Sequence, residues 1–227
     1  MEKNNINSGE KISMVENILD SMRYKILTQK YTKNYMLTEA ALSEEYNTSR
    51  GSIRAALQAL ENEGLITTLP NGRKQVKEIS EKYIKDLYEV RRMLECKVIE
   101  IVLAKKSISY TILASAAEDF NTIESDDDEI IRLERIKVNT KFHRALFELS
   151  ENRPLLQCWT TMEPIFETFA KFNSSTIGTK EQHKDFYVSN HIKIFELIVA
   201  RDKSVKDYLI RHINDAEEET LRDLKFK

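Results

Sequence analysis

Turn-forming residues are nearly absent from this chain, with three prolines and five glycines in 227 residues. A fold of short strands needs a turn every ~8–12 residues, usually marked by Gly, Pro or Asn. That supply does not exist here, so an all-β fold is excluded and long helices are expected. Apolar residues make up 41% of the chain, enough to bury a core. No run approaches the ~18 apolar residues of a membrane span, and the N-terminal MEKNNINSGEK lacks the apolar segment of a secretory signal. Two cysteines, Cys96 and Cys158, are too few for a disulfide framework and are expected as buried thiols. The expectation is a soluble, mainly α, cytoplasmic protein that crosses no membrane. Its net charge of −2, taken alone, argues against a nucleic-acid partner.

Local pattern divides the chain. Residues 1–10 are polar and read as a loose arm. Val15, Ile18, Leu19, Met22, Ile26 and Leu27 form a helical stripe. A second helix starts at Leu37-Thr38-Glu39, with Thr38 as N-cap, and ends near Tyr46-Asn47. A third, capped by Thr48 or Ser49, runs to about Glu63, where Gly64 stops it. Leu65–Leu69 and Arg73–Ile79 then read as two strands around Pro70-Asn71-Gly72, a hairpin signal. Helix, helix, turn, helix, hairpin over residues 11–79 is the pattern of a winged helix-turn-helix. From Ser80 the period is helical throughout, broken at Asn152-Arg153-Pro154 and over 173–178, with a capping-box pattern at Thr179–Gln182. The acidic run Asp126–Glu129 opens a helix, where negative charge suits the dipole. Charge follows the same division. Residues 11–80 hold ten Lys and Arg against eight Asp and Glu, whereas residues 81–227 hold 24 against 27. A mildly basic head is joined to an acidic remainder.

Within the head, Ser49-Arg50, Ile53-Arg54, Ala56-Leu57, Leu60 and Gly64-Leu65 resemble the DNA-binding half of the GntR family of bacterial regulators. The resemblance implies a recognition helix entering the major groove by its N-terminal end. Arg50 and Arg54 are one turn apart and share a face, suited to guanine or phosphate. Thr38, Thr48, Ser49 and Ser52 join them as short hydroxyl side chains facing DNA. In the wing, Asn71, Gly72, Arg73 and Lys74 match the family's Gly-containing tip, which reaches the minor groove. Relatives often carry a further arginine where this chain has Ala40, so one contact is missing and the operator cannot be borrowed from them.

The remainder is similar to the FCD effector domain of the FadR-like branch. The matches are Tyr88, Glu89, Arg91, Leu94 and Glu95; Phe142-His143 with Leu149–Leu155; and Asn190–Ile194 with Leu197-Ile198, Asp202 and His212-Ile213. The implied fold over 80–227 is an antiparallel bundle of six or seven helices. Many such domains bind a divalent metal through an Asp, a His four residues later and two later His. His143, His191 and His212 fall on that pattern, but the Asp position is Asn139. An amide oxygen brings no negative charge, so a Zn²⁺- or Ni²⁺-like ion would be held more weakly. The alternative is a metal-free pocket whose histidines contact an organic acid directly. Arg91 is the expected partner of an effector carboxylate, or else a helix-surface ion pair with Glu95; Arg92 is the other candidate for that surface role. Asn152 is read as both helix cap and pocket residue, while Glu95, Trp159, Met162 and Phe166 are read as core or rim. His183 is read as exposed.

The function these features imply is a ligand-responsive transcription regulator and not an enzyme. It is expected to act as a homodimer on a pseudo-palindromic DNA operator and to respond to a small organic or sugar acid. Two alternatives stand beside it: a metal-dependent enzyme in the bundle, and a DNA-binding regulator whose bundle is ligand-blind.

Overall fold

A computed structural model describes residues 8–123, 125, 127–173 and 180–224, with side chains over 14–123, 125, 127–173 and 188–224. The chain divides into two units, Met1–Ser80 and Glu81–Lys227.

In the first unit, α1 (Ser8–Leu27) buries Ile18, Met22, Ile26 and Leu27. Its helix already includes 8–10, three residues of the expected loose arm; the other seven lie outside the described residues. α1 packs on α3 (Arg50–Asn62), whose inward stripe is Ile53, Ala56, Leu57 and Leu60. Arg23, 2% exposed, ties the two together by forking onto Glu63 at 2.7 and 2.8 Å. Between them α2 (Glu39–Glu45) starts at Thr38, whose hydroxyl accepts from the Ala41 N–H. α3 starts at Ser49, whose hydroxyl accepts from the Ser52 N–H at 3.1 Å.

α3 ends because Gly64 adopts φ +78°, where the Gly64 and Leu65 N–H groups turn back onto the carbonyls of Glu61 and Leu60. β2 (Ile66–Thr68) and β3 (Lys74–Val76) pair antiparallel, with Ile66 opposite Val76. A third strand, β1 (Met36–Leu37), pairs with β3 in the sheet order β1-β3-β2. Sequence had placed Leu37 at the start of a helix. Two residues carry no period, and their strand character comes only from pairing with β3.

The second unit contains α4 (Glu81–Ala104), α5 (Thr111–Glu118) with a 3-10 turn at Asp119–Asn121, α6 (Asp128–Ser150), α7 (Arg153–Asn173), α8 (Lys180–Val199) and α9 (Val205–Leu224). Asp127 caps α6, and Asp126 lies outside the described residues. Thr179 of the expected capping box and the His183 side chain also lie outside them. α4 packs against α6 and α9, α6 against α5 and α7, and α8 against α5 and α9. Their shared interior is aromatic. Trp159 stacks between Phe147 and Phe166, and Tyr88 meets Phe166 edge-on. Cys96 is buried as expected, whereas Cys158, one residue before Trp159, points outward.

Candidate functional site: a recognition helix and a histidine cluster

In the first unit, the two arginines of α3 share an exposed face but differ in what holds them. The side chain of Arg50, the first residue of the helix, makes no hydrogen bond among the described residues. Arg54 donates from Nε and Nη2 to the two carboxylate oxygens of Glu39, each at 2.9 Å. The Arg54 hydrogen bond holds the Glu39 carboxyl below the usual range, and the charge of Arg50 adds to the effect. Sequence reasoning missed Glu39. It lies fifteen positions away on another helix, a distance no periodicity links.

The other expected DNA contacts are distributed unevenly. Thr38 is exposed and caps α2, while Thr48 is half-buried with its hydroxyl toward Met14 Sδ. Ser49 is exposed at the head of α3. Ser52 is a correction: it is 4% exposed, and its hydroxyl meets that of Ser49 at 3.0 Å. The third residue of the helix turns its side chain into the head and away from any groove.

In the wing, Asn71 Oδ1 accepts from the Arg73 N–H, and Gly72 at φ +78° completes a turn that a side chain would strain. Arg73 is exposed. Lys74 is a second correction, because its ammonium is bound to Glu61 at 2.5 Å and Thr68 at 2.6 Å. It braces the wing against α3 instead of facing outward.

In the second unit, four helices contribute to one cluster. α4 gives Arg91 and Glu95, α6 gives Asn139 and His143, α8 gives His191, and α9 gives His212. Glu95 is its anchor. It is fully buried, accepting from Arg91 Nε at 2.6 Å and facing His143 Nδ1 at 2.9 Å. Burial alone would raise its pKa, but the hydrogen bonds of His143 and Arg91 and the guanidinium charge hold it below the usual carboxylate range. Burial lowers the His143 pKa against the opposing pull of Glu95, so the ring is neutral.

The tautomer of His143 follows from its partners. Arg91 Nη2 lies 3.0 Å from His143 Nε2, and a guanidinium can only donate. Nε2 therefore accepts, and Nδ1–H donates to Glu95. His212 is also neutral: burial depresses its pKa, and His191, His143 and Arg91 depress it further. Its Nε2 is 3.4 Å from His143 Nε2, and His191 Nε2 is 2.9 Å from Asn139 Oδ1. One ligand atom from each histidine lies within 4.8 Å of the other two.

This donor set fits a divalent ion. Imidazoles are metal ligands, Asn139 adds an oxygen, and Glu95 behind His143 fixes that ring, as carboxylates do behind metal-bound histidines. Three features oppose tight binding. No ligand in contact with the ion would be anionic, the Arg91 guanidinium stands beside it, and the His143 Nε2 lone pair accepts from that guanidinium and would have to be released.

Arg91 is thus buried in the cluster, 5% exposed and stacked over Phe166, and its ion pair with Glu95 is internal instead of on the helix surface. Arg92 faces α9 and binds Glu217 and Asn214. Asn152 is half-buried and caps α7 as expected, its Oδ1 accepting from the Leu155 N–H at 3.2 Å. Trp159 and Phe166 are core, and Met162 is half-buried. Glu95 is core, as expected, on the same stripe as Leu87, Tyr88, Val98 and Val102; its bond to His143 on another helix is what no sequence signal carries.

A winged helix-turn-helix with an arginine-bearing recognition helix, joined to a helical unit with a buried polar centre, defines the class of ligand-sensing DNA-binding regulators. Comparison with known proteins narrows the class. The model of the bacterial regulatory proteins of the gntR family matches residues 14–76, and that of the FCD domain matches residues 86–215. The chain belongs to the GntR family of transcription regulators, in the branch that carries an FCD domain.

Among curated relatives, an HTH-type transcriptional regulator of Bacillus subtilis, YdhC, is 26% identical over 78% of each chain. The gluconate operon transcriptional repressor of the same organism is 21% identical over 89% of this chain and 83% of its own. The fold matches Escherichia coli McbR/YncC with a TM-score of 0.61 at 14% identity, over 93% of this chain and 96% of that one. It matches Lar, which controls the agr system of Listeria monocytogenes, with a TM-score of 0.63 at 15% identity, over 90% and 97%. Among the described residues, no helix is long and apolar enough to cross a membrane.

Proposed function

We propose that this regulator binds a pseudo-palindromic operator as a homodimer in the cytoplasm, and that a small organic or sugar acid in the histidine cluster sets its affinity for DNA. One recognition helix reads only a few base pairs, so two-fold pairing is needed for useful specificity. In the head, Arg50, Arg54 and Arg73 carry the contacts, with Thr38, Thr48, Ser49, Asn71 and Gly72 shaping the surface around them. In the bundle, the observation that carries the reading is the convergence of three imidazoles beside the buried Arg91 guanidinium. An anionic ligand gains lone-pair partners through a bound cation and a fork from Arg91.

His143, His191, His212 and Asn139 would hold a Zn²⁺- or Ni²⁺-like ion, which would supply a Lewis-acidic seat for the effector's oxygens. A sugar acid is the first class to test, since one relative is named as a gluconate operon repressor. Coupling between effector and DNA is expected at ~1–3 kcal/mol.

The test is retardation of a selected operator by the full chain, with and without gluconate and other small acids. Release or tightening supports the reading, and no response to any acid overturns the effector. Metal analysis of protein purified without chelator or affinity-tag metal tests the ion. Less than a tenth of an equivalent, with no calorimetric Zn²⁺ or Ni²⁺ binding, would sink it. Asn139 in place of an acid, and Arg91 on the His143 lone pair, favour one second reading: a DNA-binding regulator with a ligand-blind bundle. It predicts no thermal shift with any acid or metal.

A further inference from the structure

The pairing of Arg54 with Glu39 is side-on, and it leaves one edge of the guanidinium open. Nε and one hydrogen of Nη2 are occupied by the carboxylate. The end-on edge, made by Nη1 and the other hydrogen of Nη2, is free, and the Arg54 side chain is 71% exposed. Two adjacent donors in that plane match the O6 and N7 acceptors of guanine in the major groove.

Stability gives little reason for this contact, because ion pairs between exposed side chains contribute little. Groove electrostatics give a reason against it, because a carboxylate beside the DNA-facing side of α3 repels phosphate. Geometry gives a reason for it. Glu39 is the first residue of α2, and Arg54 lies in the second turn of α3; the two helices pack directly on each other. A carboxylate fixed to one helix therefore fixes the long side chain of the other. The side chain of Arg50, one turn earlier on the same face, has no hydrogen bond among the described residues. A flexible arginine suits phosphate, which accepts from many directions, whereas a base edge rewards a side chain already in place.

Taking this face of α3 as the DNA-reading surface, we propose that Glu39 is a positioning residue: it holds Arg54 end-on for a guanine and thereby sets the operator's base preference at that position. The test is selection from a randomised duplex DNA pool with the full-length wild type and the Glu39→Gln, Glu39→Asp and Arg54→Ala variants, each matched to wild type by thermal melt. The wild type should enrich a two-fold motif with guanine at one symmetric position, and Arg54→Ala should lose the preference there. Glu39→Gln should keep the rest of the motif while its preference for that guanine falls about five- to tenfold. Glu39→Asp should recover part of the loss.

An unchanged guanine preference in Glu39→Gln overturns the proposal. So does a uniform gain on all sequences, which would make Glu39 a mere competitor of DNA, or a uniform loss, which would make it structural. A motif left intact by Arg54→Ala would instead remove Arg54 from the reading surface and take the proposal with it.

Discussion

The two units use the same chemical pair in opposite surroundings. In the head, Arg54 and Glu39 meet with side chains 71% and 35% exposed. In the bundle, Arg91 and Glu95 meet at 6% and 0%. Water screens the first pair, so it contributes little to stability and leaves the outer edge of Arg54 open to DNA. The interior amplifies the second, where loss of one partner strands a charge away from water. A surface pair can guide recognition and a buried pair can define a ligand site. Neither arrangement could do the other's work.

The largest expected effect is at the buried pair. Glu95→Ala leaves Arg91 without its carboxylate and His143 without its Nδ1 acceptor, and should destabilise the bundle by about 3–5 kcal/mol. Thermal melting of the full chain measures this, with Glu39→Ala as the surface counterpart expected to leave the melt nearly unchanged. Equal losses for the two variants would erase the contrast. Next in size is Arg54→Ala, which should weaken operator binding about 10- to 100-fold and relax the preference at one position. Operator affinity unchanged by that variant would leave the surface pair without a role.

A smaller effect sharpens the comparison from the side of the metal. Asn139→Asp adds an anionic oxygen to a site whose single negative charge, on Glu95, is already matched by Arg91. Affinity for Zn²⁺ should rise about tenfold or more, read by competition with a chelator. Unchanged affinity would mean that residue 139 does not reach the ion.

What was legible in the sequence follows the same division. The head's helices declared themselves through stripes, caps and the stop at Gly64, because these signals act within one element. β1 was hidden, since its two residues become a strand only by pairing with β3. In the bundle, the histidines follow a family pattern and Glu95 stands one turn after Arg91, but the bond of Glu95 to His143 is made by α6 packing on α4, which no local period encodes. Polar residues at helix starts can serve either the helix or a ligand: Asn152 caps α7 as its position implies, whereas the Ser52 hydroxyl, read as facing DNA, turns onto that of Ser49.

The smallest effect separates the two cations of the wing. Arg73 and Lys74 are neighbours with the same charge, and sequence gave them one role. The structure leaves Arg73 exposed and binds Lys74 to Glu61 and Thr68. A cation that replaces a counterion on phosphate contributes about 0.9 to the slope of log affinity against log salt. Arg73→Ala should therefore lower that slope by about one unit. Lys74→Ala should leave the slope unchanged, because its charge is already matched by Glu61 within the protein. Titrations of the full chain on one operator at several salt concentrations read both. An equal fall in slope for Lys74→Ala would show that DNA draws the lysine away from Glu61. The wing's brace would then yield to DNA, unlike the Arg54 pair, which is proposed to persist on it.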